Sequence, residues 1–538
     1  MLPMNSPFRL RIARLLLTLL CCVLPALALD DYQRIPALDA IHYRLKLTIA
    51  EAGDEIQAEA EILFEFKSDS VKEVPLDFTG LTVDQVTVEN REAKFTRAND
   101  KLNVALAGNY KAGDRCRVTV RYHGHPTDGL AIQKNKFGDR SIFADNWPNR
   151  AHYWFPGIDH PYDKATVEFL VTAPNRYDVI ANGRLVETRS LQNGAKLTHW
   201  SEAVPIPTYC MVIGATEFDI VNVGRVKTPG DDIPLSFYLF PKDRDKGVKG
   251  YGRASQIVEF FTNLIGPYPY EKLALVQSST RFGGMENASS IFLAENAFGE
   301  GIVSHEIAHQ WFGDSVTESD WHHLWLSEGF ATYFGDLFFE RADGRDKFMK
   351  LMLEEKEGYL KAYGKDPRPI YDPGITDLFK LLNANNYQKG GWVLHMLRHV
   401  MGDEKFFAGV RDYYRTYRDR NALTDDFRHV MEAQAGQPLD WFFREWIFEP
   451  GYPIYDAAWK WDEGRQELRL RITQKQEKTV FRMPLDVEMK TGSTSRREVV
   501  QMNEREQNFT FKPGARPSGV ALDPDEWVLK VLTIGEEK

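Results

Sequence analysis

Alternation of apolar and polar residues with a period of two begins at Ile41 and continues through the first third of the chain. The segments 43–49 and 56–66 place Tyr, Leu, Ile, Ala or Phe at every second position, between charged or polar neighbours. Such alternation is typical of half-buried antiparallel strands. Similar runs, separated by turn signals such as Asn182-Gly183 and Asn193-Gly194, follow at 74–78, 118–122, 165–173 and 196–201. The pattern predicts an all-β N-terminal domain over residues 29–222.

A helical period of apolar residues replaces this alternation near Lys249 and ends at Gly266-Pro267. A short β-like stretch, LALVQSSTRFGGMENASSIFL, comes next, and several helix-like runs then extend to about Pro450. From Tyr455 the period of two returns in LRLRITQ, VEMKT, NFTFK and VLKVL. The expected fold class is therefore α+β and multidomain, with a sheet-and-helix domain over residues 223–450 and a small β domain over residues 451–538.

The first 28 residues have the pattern of a secretory signal peptide. Arg9, Arg11 and Arg14 precede the apolar run LLLTLLCCVLPALA, which ends in an A-x-A site at Ala28. The run is short for a membrane span, so an uncleaved N-terminal anchor is the alternative to cleavage. We therefore expect an exported protein, periplasmic or secreted.

Composition excludes some classes of partner and leaves the cysteines open. The formal net charge of −10 and the lack of a basic stretch after the signal segment argue against nucleic acid, and no firm membrane partner is indicated. Removal of the signal segment leaves Cys116 and Cys210, both in strand-like runs. An exported compartment permits a disulfide between them, and buried free thiols are equally compatible with the sequence.

The strongest chemical signal is His305-Glu306-x-x-His309, inside a run that is typical of helix. Two imidazoles four residues apart leave one helix face a turn apart and can hold one divalent metal, with Glu306 beside its open side. A third ligand is available in Glu328, eighteen intervening residues further on in the second helix-like run. Two histidines and a glutamate with one position left describe a catalytic zinc site, with one Zn²⁺ per chain. The alternative is a surface helix whose histidines share this spacing by chance.

A second motif, Phe282-Gly283-Gly284-Met285-Glu286-Asn287, lies some twenty residues before His305. Two glycines in an edge strand remove side chains where another backbone can approach, so an extended peptide could add itself there as a further strand. Glu286 beside such a strand could bind a free α-amino group. The alternative is a glycine bulge followed by a solvated glutamate.

Taken together, GGMEN, HEIAHQWFG and WLSEGF resemble the aminopeptidase N family of gluzincin metallopeptidases, which includes leukotriene A4 hydrolase. The resemblance covers most of the chain after the signal segment. It implies an N-terminal β domain, a thermolysin-like α/β catalytic domain and a small C-terminal β-sandwich. It also implies zinc bound by His305, His309 and Glu328, with Glu306 as general base. Glu286, with Gly283, Gly284 and Met285, would bind the N-terminal end of the substrate.

Two further roles follow from the same resemblance. Tyr387 in NNYQKGGWVL matches the family tyrosine that stabilises the oxyanion, although a structural role near a helix end is the alternative. Asp145 in FADNWPNR takes the place of a Gln or Glu that helps to bind the substrate amine, and Asn146 could serve instead. The family often has a C-terminal helical domain over the site. We expect none in this chain, and hence a more open cleft.

These signals predict a zinc-dependent aminopeptidase that removes the N-terminal residue from peptides with a free N-terminus. Two other activities use the same metal: a thermolysin-like endopeptidase, which cuts blocked peptides, and an epoxide hydrolase similar to leukotriene A4 hydrolase. A binding module without turnover would have no need for the base and the tyrosine together. The preferred N-terminal residue, the physiological substrate and the oligomeric state are not specified by the sequence.

Overall fold

The computed structural model describes residues 30–229 and 232–537, so the predicted signal segment 1–28 lies outside the described residues. The first part of the chain is a β-rich domain. Its strands are β1 (Leu38–Ile49), β2 (Ile56–Phe66), β3 (Glu73–Asp77), β4 (Thr82–Val88), β5 (Arg91–Glu92), β6 (Phe95–Ala98), β7 (Lys101–Ala105), β8 (Arg115–Gly124), β9 (Leu130–Lys134), β10 (Arg140–Ala144), β11 (Lys164–Pro174), β12 (Asp178–Ala181), β13 (Arg184–Ser190), β14 (Ala195–Pro207) and β15 (Ile213–Thr216).

An eight-stranded sheet with the order β13-β14-β11-β1-β2-β8-β4-β5 dominates this domain. Along β1 the side chains of Tyr43, Leu45 and Leu47 are buried, as the alternation predicted. Most neighbouring strands are antiparallel, but β1 and β11 pair in parallel, which differs from the expected all-antiparallel arrangement. The reason is topological: more than one hundred residues separate these strands, so no hairpin constrains their direction.

Among the described residues, Cys116 and Cys210 are free and buried. Cys116 lies in β8 with its thiol 3.3 Å from the Tyr110 hydroxyl, whereas the thiol of Cys210 donates to a carboxylate oxygen of Asp314 at 3.3 Å. Cys210 belongs to a 3₁₀ turn, Thr208–Cys210, so its assignment to a strand was wrong. Local apolar content alone cannot separate a buried turn from a buried strand.

The middle of the chain combines a mixed sheet with helices. Its strands are β16 (Asp219–Val226), β17 (Ile233–Leu239), β18 (Leu273–Ser278), β19 (Gly284–Met285), β20 (Ser290–Ala294), β21 (Val316–Glu318) and β22 (Arg420–Ala422). Its helices are α1 (Arg244–Gly250), α2 (Ala254–Leu264), α3 (Glu300–His309), α4 (Trp325–Asp343), α5 (Arg345–Tyr363), α6 (Gly390–Met401), α7 (Asp403–Tyr417), α8 (Thr424–Ala435) and α9 (Asp440–Phe443).

The five-stranded sheet has the order β16-β17-β18-β20-β19, which leaves the two-residue strand β19 at one edge. β16 begins at Asp219, so the predicted domain boundary at residue 222 falls within the first strand of this sheet. Helix α3 follows β20 directly and packs on α4, which is buried along most of its length. The glycine-rich motif of residues 282–287 and the His305-Glu306-x-x-His309 motif therefore lie where this sheet meets the two helices.

Close helix approaches at glycines set the positions of α3, α4 and α6. A Cβ atom on Gly335 of α4 would lie 3.2 Å from the His305 backbone nitrogen. A Cβ on Gly329 would lie 2.8 Å from the Cα of Gly390, at the start of α6. A π-helical turn, Asn385–Lys389, leads into α6. These contacts bring the backbone beside Glu328 close to the turn that carries Tyr387.

Two further sheets follow, β27-β24-β23-β29 and β26-β25-β28. Their strands, β23 (Ile454–Asp462), β24 (Glu467–Gln474), β25 (Met483–Thr491), β26 (Thr494–Met502), β27 (Glu506–Phe511), β28 (Gly519–Leu522) and β29 (Val531–Glu536), confirm the predicted return to β structure. Within residues 30–229 and 232–537, no helix combines the length and the apolar character that a membrane crossing requires.

We predict that Gly329→Ala destabilises the protein by about 1–3 kcal/mol, because the added methyl group meets backbone atoms of Gly390 that cannot yield. The measurement is the melting temperature. The matched control is Gly358→Ala in α5, where the nearest atom to the added carbon is 3.8 Å away. That variant should be unchanged or slightly more stable, because Ala favours helix over Gly. An equal melting temperature for Gly329→Ala and wild type would contradict the proposed close packing.

Candidate metal centre and cleft

Helix α3 presents His305 and His309 on one face, and α4 supplies Glu328 to the same point. The Nε2 atoms of the two histidines are 3.1 Å apart, and Oε2 of Glu328 lies 3.2 Å from His305 Nε2 and 3.3 Å from His309 Nε2. Glu328 and His309 are almost fully buried, whereas the His305 side chain is partly exposed. Three donor atoms thus converge on one point at the wall of a cleft, an arrangement that can hold a metal ion.

The orientation of His309 is set by its second ring nitrogen. Nδ1 lies 3.1 Å from the Phe312 carbonyl oxygen and 3.0 Å from the Ser327 hydroxyl. Because a carbonyl oxygen only accepts hydrogen bonds, Nδ1 carries the proton in the neutral ring. The lone pair is therefore on Nε2, the atom that faces His305 and Glu328. Contacts of this kind are the usual way in which proteins fix a metal-binding imidazole.

Tyr387 lies beside the same carboxylate. Its hydroxyl donates to Oε1 of Glu328 at 2.6 Å, and its ring stacks parallel to that of His305 with centroids 6.0 Å apart. The side chain belongs to the π-helical turn before α6, not to a regular helix end. Both oxygens of Glu328 are thus engaged, one towards the histidines and the other by the phenol.

The glycine-rich motif lies against helix α3 at Glu306, the residue after His305. A Cβ atom on Gly284 would be only 2.0 Å from Oε1 of Glu306, so the base candidate rests directly on the strand backbone. Glu286, two residues later, is buried, and its carboxylate can join those of Glu306 and a nitrogen of His309 within 4.8 Å. The structure therefore brings Glu286 to the His309 end of α3, and this glutamate is not solvated.

Gln310, the residue after His309, joins the two motifs. Its amide nitrogen donates to the Glu286 carbonyl at 2.6 Å and to Asp314 at 2.7 Å. Its amide oxygen accepts from the Ser289 backbone at 2.8 Å and from the Tyr268 hydroxyl at 3.0 Å. The side chain is fully buried and makes these four hydrogen bonds, so it holds the strand segment in a defined position relative to α3.

The carboxylates and imidazoles of the centre shift one another's pKa values. Burial raises the pKa of Glu286 to about 7, with Glu328 adding to the effect and His309 opposing it. Burial also raises the pKa of Glu306 well above its ordinary value. Burial works against ionisation of Glu328 too, but His309 and His305 outweigh it and hold its pKa well below the usual range. Buried negative charge of this kind favours bound cations.

His309 responds to the same charges. Burial opposes its protonation, but Glu328 and Glu286 outweigh burial, so its pKa lies well above the ordinary value. A cation held between the imidazoles and Glu328 would compensate the negative charge in place of the proton on His309. The electrostatics of the cluster thus agree with its geometry.

The centre opens into a cleft of about 420 Å³. Gly283, Gly284, Met285 and Glu286 line it, as do the two histidines, Glu306, Glu328 and Tyr387. Further lining residues that the sequence reasoning missed are Trp147, Phe282, Gly301, Ile302, Thr332, Gly335, Asp336, Glu355, Leu382 and Gln388. Helical periodicity could have identified three of these residues. Gly301 and Ile302 precede His305 by one turn, and Thr332 follows Glu328 by one turn.

Asp145 is not among the residues that line the cleft. One carboxylate oxygen accepts from Arg150 at 2.6 Å, and the other lies 3.4 Å from Arg281. Asn146, the alternative, is buried and bonds to the Thr208 and Met211 carbonyls. From this segment the structure brings Trp147 into the cleft, so the expected substrate contact of Asp145 has no geometric support.

Comparison with known proteins places this geometry in a family. Residues 39–210 match the peptidase M1 N-terminal domain and residues 251–446 match the peptidase family M1 domain, together about two thirds of the chain. The second match contains His305, His309 and Glu328 as well as Glu286 and Tyr387.

Similar proteins include Tricorn protease-interacting factor F2 of Thermoplasma acidophilum, 29% identical over 436 residues, which cover 75% of this chain and 52% of the relative. Probable aminopeptidase 2 of Sulfurisphaera tokodaii is 25% identical over 81% of this chain and 57% of its own length. Glutamyl aminopeptidase of Rattus norvegicus is 25% identical over 64% of this chain and 39% of its own length. The chain thus spans about half the length of the curated relatives it matches.

Among solved structures, the M1 zinc metallopeptidase from Deinococcus radiodurans is similar with a TM-score of 0.69 at 25% sequence identity. The likeness covers 78% of this chain and 95% of the bacterial one. The fold, the two domain matches and the convergence of the HEIAHQWFG, WLSEGF and GGMEN motifs on one cleft lead to one conclusion. The chain belongs to the M1 family of peptidases.

Proposed function

We propose that this chain is a zinc-dependent aminopeptidase that removes the N-terminal residue from peptides. The observation that carries the proposal is the convergence of three metal-ligand atoms, from His305, His309 and Glu328, in a cleft that also holds the buried carboxylate of Glu286. The triad accounts for hydrolysis, and Glu286 accounts for the restriction to a free N-terminus. The named aminopeptidases and zinc metallopeptidases among its relatives support the same activity.

The donor set fits zinc in type and in spacing. Two imidazole nitrogens and one carboxylate oxygen, with a position left open, are a common ligand set of catalytic zinc. In a tetrahedral site with bonds of about 2.0–2.1 Å, ligand atoms are about 3.3–3.4 Å apart. The three distances here are 3.1, 3.2 and 3.3 Å. We therefore propose His305, His309 and Glu328 as the ligands of one zinc ion.

Zinc bound there would act as a Lewis acid, which makes water nucleophilic at neutral pH and polarises the substrate carbonyl. Glu306 accepts the proton of the attacking water and then donates it to the leaving amine. Its burial favours the protonated form, which makes the carboxylate a stronger base than a solvated glutamate. Its position against the Gly284 backbone holds the carboxylate next to the bound peptide.

Tyr387 is the proposed donor to the negative charge that develops on the carbonyl oxygen. Its hydroxyl lies on Glu328, beside the proposed zinc position, and burial keeps the phenol protonated by raising its pKa well above the ordinary value. A protonated phenol can donate one hydrogen bond to the oxyanion. Loss of a donor of this kind typically costs on the order of 10²–10³ in rate.

Glu286 gives the cleft its preference for free N-termini. Its carboxylate is buried near His309 and Glu306. Burial raises its pKa to about 7, and the nearby His309 only partly opposes this effect. The ammonium group of a peptide would compensate the negative charge of this carboxylate. An amine held at Glu286 would bring the first peptide bond beside the proposed zinc ligands, so that the N-terminal residue would be released. Strand β19, at the sheet edge, can pair with the substrate backbone.

Two finer features belong to the same proposal. The C-terminal sheets each bury one face, with Leu470 and Ile472 of β24 and Leu485 and Val487 of β25 fully buried, which supports a β-sandwich. Export after cleavage at Ala28 is proposed from the N-terminal pattern alone. Peptides with a free N-terminus are the proposed partners.

Replacement of the base tests the hydrolytic mechanism. Glu306→Gln should lower kcat/KM for aminoacyl-fluorophore substrates by at least about 10²-fold, since the proton acceptor is lost, while one zinc ion per chain remains by elemental analysis. Glu300→Gln on the same helix is the control: Glu300 is exposed and pairs with Arg253, so its substitution should leave activity unchanged. Retained activity in Glu306→Gln would refute the assignment of the base.

Replacement of Glu286 tests the exopeptidase assignment. Glu286→Gln removes the charge that compensates the substrate ammonium, so kcat/KM for peptides with a free N-terminus should fall by at least about tenfold. Hydrolysis of the N-acetylated peptides should be weak in wild type and change little. Wild-type cleavage of acetylated and free peptides at equal rates would point to an endopeptidase and overturn the proposal.

Gly283 and Gly284 are adjacent and offer a matched pair of alanine substitutions. A methyl group on Gly284 would overlap Glu306 and displace its carboxylate, whereas a methyl group on Gly283 meets only Cδ1 of Ile302, at 3.4 Å. Gly284→Ala should therefore reduce kcat much more than Gly283→Ala, as measured on one aminoacyl-fluorophore substrate. Equal losses in the two variants would show that contact with Glu306 is not the reason for glycine at position 284.

A further inference from the structure

The cleft continues past the proposed zinc position to an end that the catalytic roles do not explain. This end is lined by Gly301 and Ile302 of α3, Gly335 and Asp336 of α4, and Glu355 of α5. Two carboxylates, Asp336 and Glu355, are the ionisable groups of this set. What they bind depends on which part of a peptide reaches them.

The glycine-rich segment gives the direction of the peptide. Gly283 lies against Ile302, Gly284 lies against Glu306, and Glu286 lies near His309, so the segment runs alongside α3 from its N-terminal to its C-terminal end. A peptide whose amine is bound at Glu286 must extend from there past the zinc ligands. Its residues after the scissile bond therefore lie towards Gly283 and Ile302.

Helix α4 runs in the opposite direction to α3 and brings Asp336 to that same end. Glu328 lies at His309 and His305, whereas the carbonyl of Gly335 accepts from the Ser304 hydroxyl at 2.9 Å. Asp336 follows Glu328 by about two helical turns. It thus lies beside the N-terminal half of α3, in the part of the cleft lined by Gly301 and Ile302. The residue after the scissile bond would place its side chain there.

Among the residues that the structure describes, neither carboxylate forms an ion pair. Oδ2 of Asp336 is buried and has no hydrogen-bond partner within the described residues. Burial raises the pKa of Asp336 well above its ordinary value, repulsion from Glu355 and Glu354 adds to this, and Lys347 only partly opposes it. Burial likewise raises the pKa of Glu355, which is hydrogen bonded to Gln388. A buried carboxyl oxygen without a partner is costly unless a ligand supplies a donor.

We propose that Asp336 and Glu355 form a subsite for a cationic side chain, lysine or arginine, at the second residue of the peptide. The inference rests on the proposed aminopeptidase function and adds a substrate class to it. An ammonium or guanidinium group entering this end would donate to the unpartnered oxygen of Asp336 and reduce its repulsion with Glu355. The enzyme would then favour peptides of the form X-Lys or X-Arg over those with a neutral or acidic second residue.

The test compares tripeptides that differ only in the second residue: lysine, norleucine, which has a similar chain without the charge, and glutamate. For wild type, kcat/KM should be at least about tenfold higher for lysine than for norleucine, and lowest for glutamate. In Asp336→Asn/Glu355→Gln, which keeps the side-chain shapes, the ratio of lysine to norleucine should fall towards one. Release of the N-terminal residue is followed by chromatography.

The control is Glu354→Gln, which removes a neighbouring charge from the same helix. Glu354 is exposed and pairs with Lys350, so the wild-type lysine preference should persist in this variant. Equal rates for lysine and norleucine in wild type, or a preference that survives the double substitution, would overturn the subsite. Because hydrolysis of aminoacyl-fluorophores by wild type tests the aminopeptidase function separately, failure of the subsite is distinguishable from failure of the function.

Discussion

Negative charge buried around two imidazoles is the constraint on which the rest of this structure depends. Glu286, Glu306 and Glu328 converge on His305 and His309 with little access to solvent. Carboxylates in such surroundings are stable only when cations or hydrogen-bond donors compensate them. The triad of ligands can take a dication, and Glu286 can take an ammonium group. The proposed metal binding and the proposed recognition of the peptide N-terminus would thus meet the same electrostatic requirement at two adjacent points.

The scaffold meets this demand by close packing and by hydrogen bonds from both domains. Glycines let α4 approach α3 and α6, which sets Glu328 between the histidines and Tyr387. The N-terminal domain also contributes: Lys164 donates to the Asp314 and Ser315 carbonyls, and Tyr209 donates to the Gly313 carbonyl. The loop after the metal helix is therefore anchored by residues more than one hundred positions earlier. The β-rich domain thus helps to position the loop that follows His309.

The cleft has different chemistry at its two ends. Near Glu286 the cleft holds a buried carboxylate beside the proposed metal ligands, where an ammonium group would be compensated. Trp147 and Phe282 form an aromatic wall, with ring centroids 5.9 Å apart, that keeps part of the cleft apolar. At the far end, Asp336 and Glu355 add a second region of negative charge. A peptide that carries positive charge at both its N-terminus and its second side chain matches both regions.

The sequence by itself determined the type of structure and the central chemistry. Periods of two and of 3.6 residues separated the β-rich domain from the helical one, and the spacing of His305 and His309 required one helix face. It also pointed to Glu328 and Tyr387, because the surrounding motifs are specific. The periodicities and the histidine spacing are local features, and the motifs resemble a known pattern. Both kinds of feature are visible without knowledge of how the chain packs.

Only the tertiary structure decided which distant groups meet. It brought Glu286 against Glu306 and His309, bound Asp145 to Arg150 and Arg281, and left Cys116 and Cys210 as separate buried thiols. It also placed Asp336 beside Glu355 at the far end of the cleft. Periodicity shows which face of a helix or strand is buried but not what covers that face. The partner depends on helix crossings and strand order, which arise from contacts across hundreds of residues.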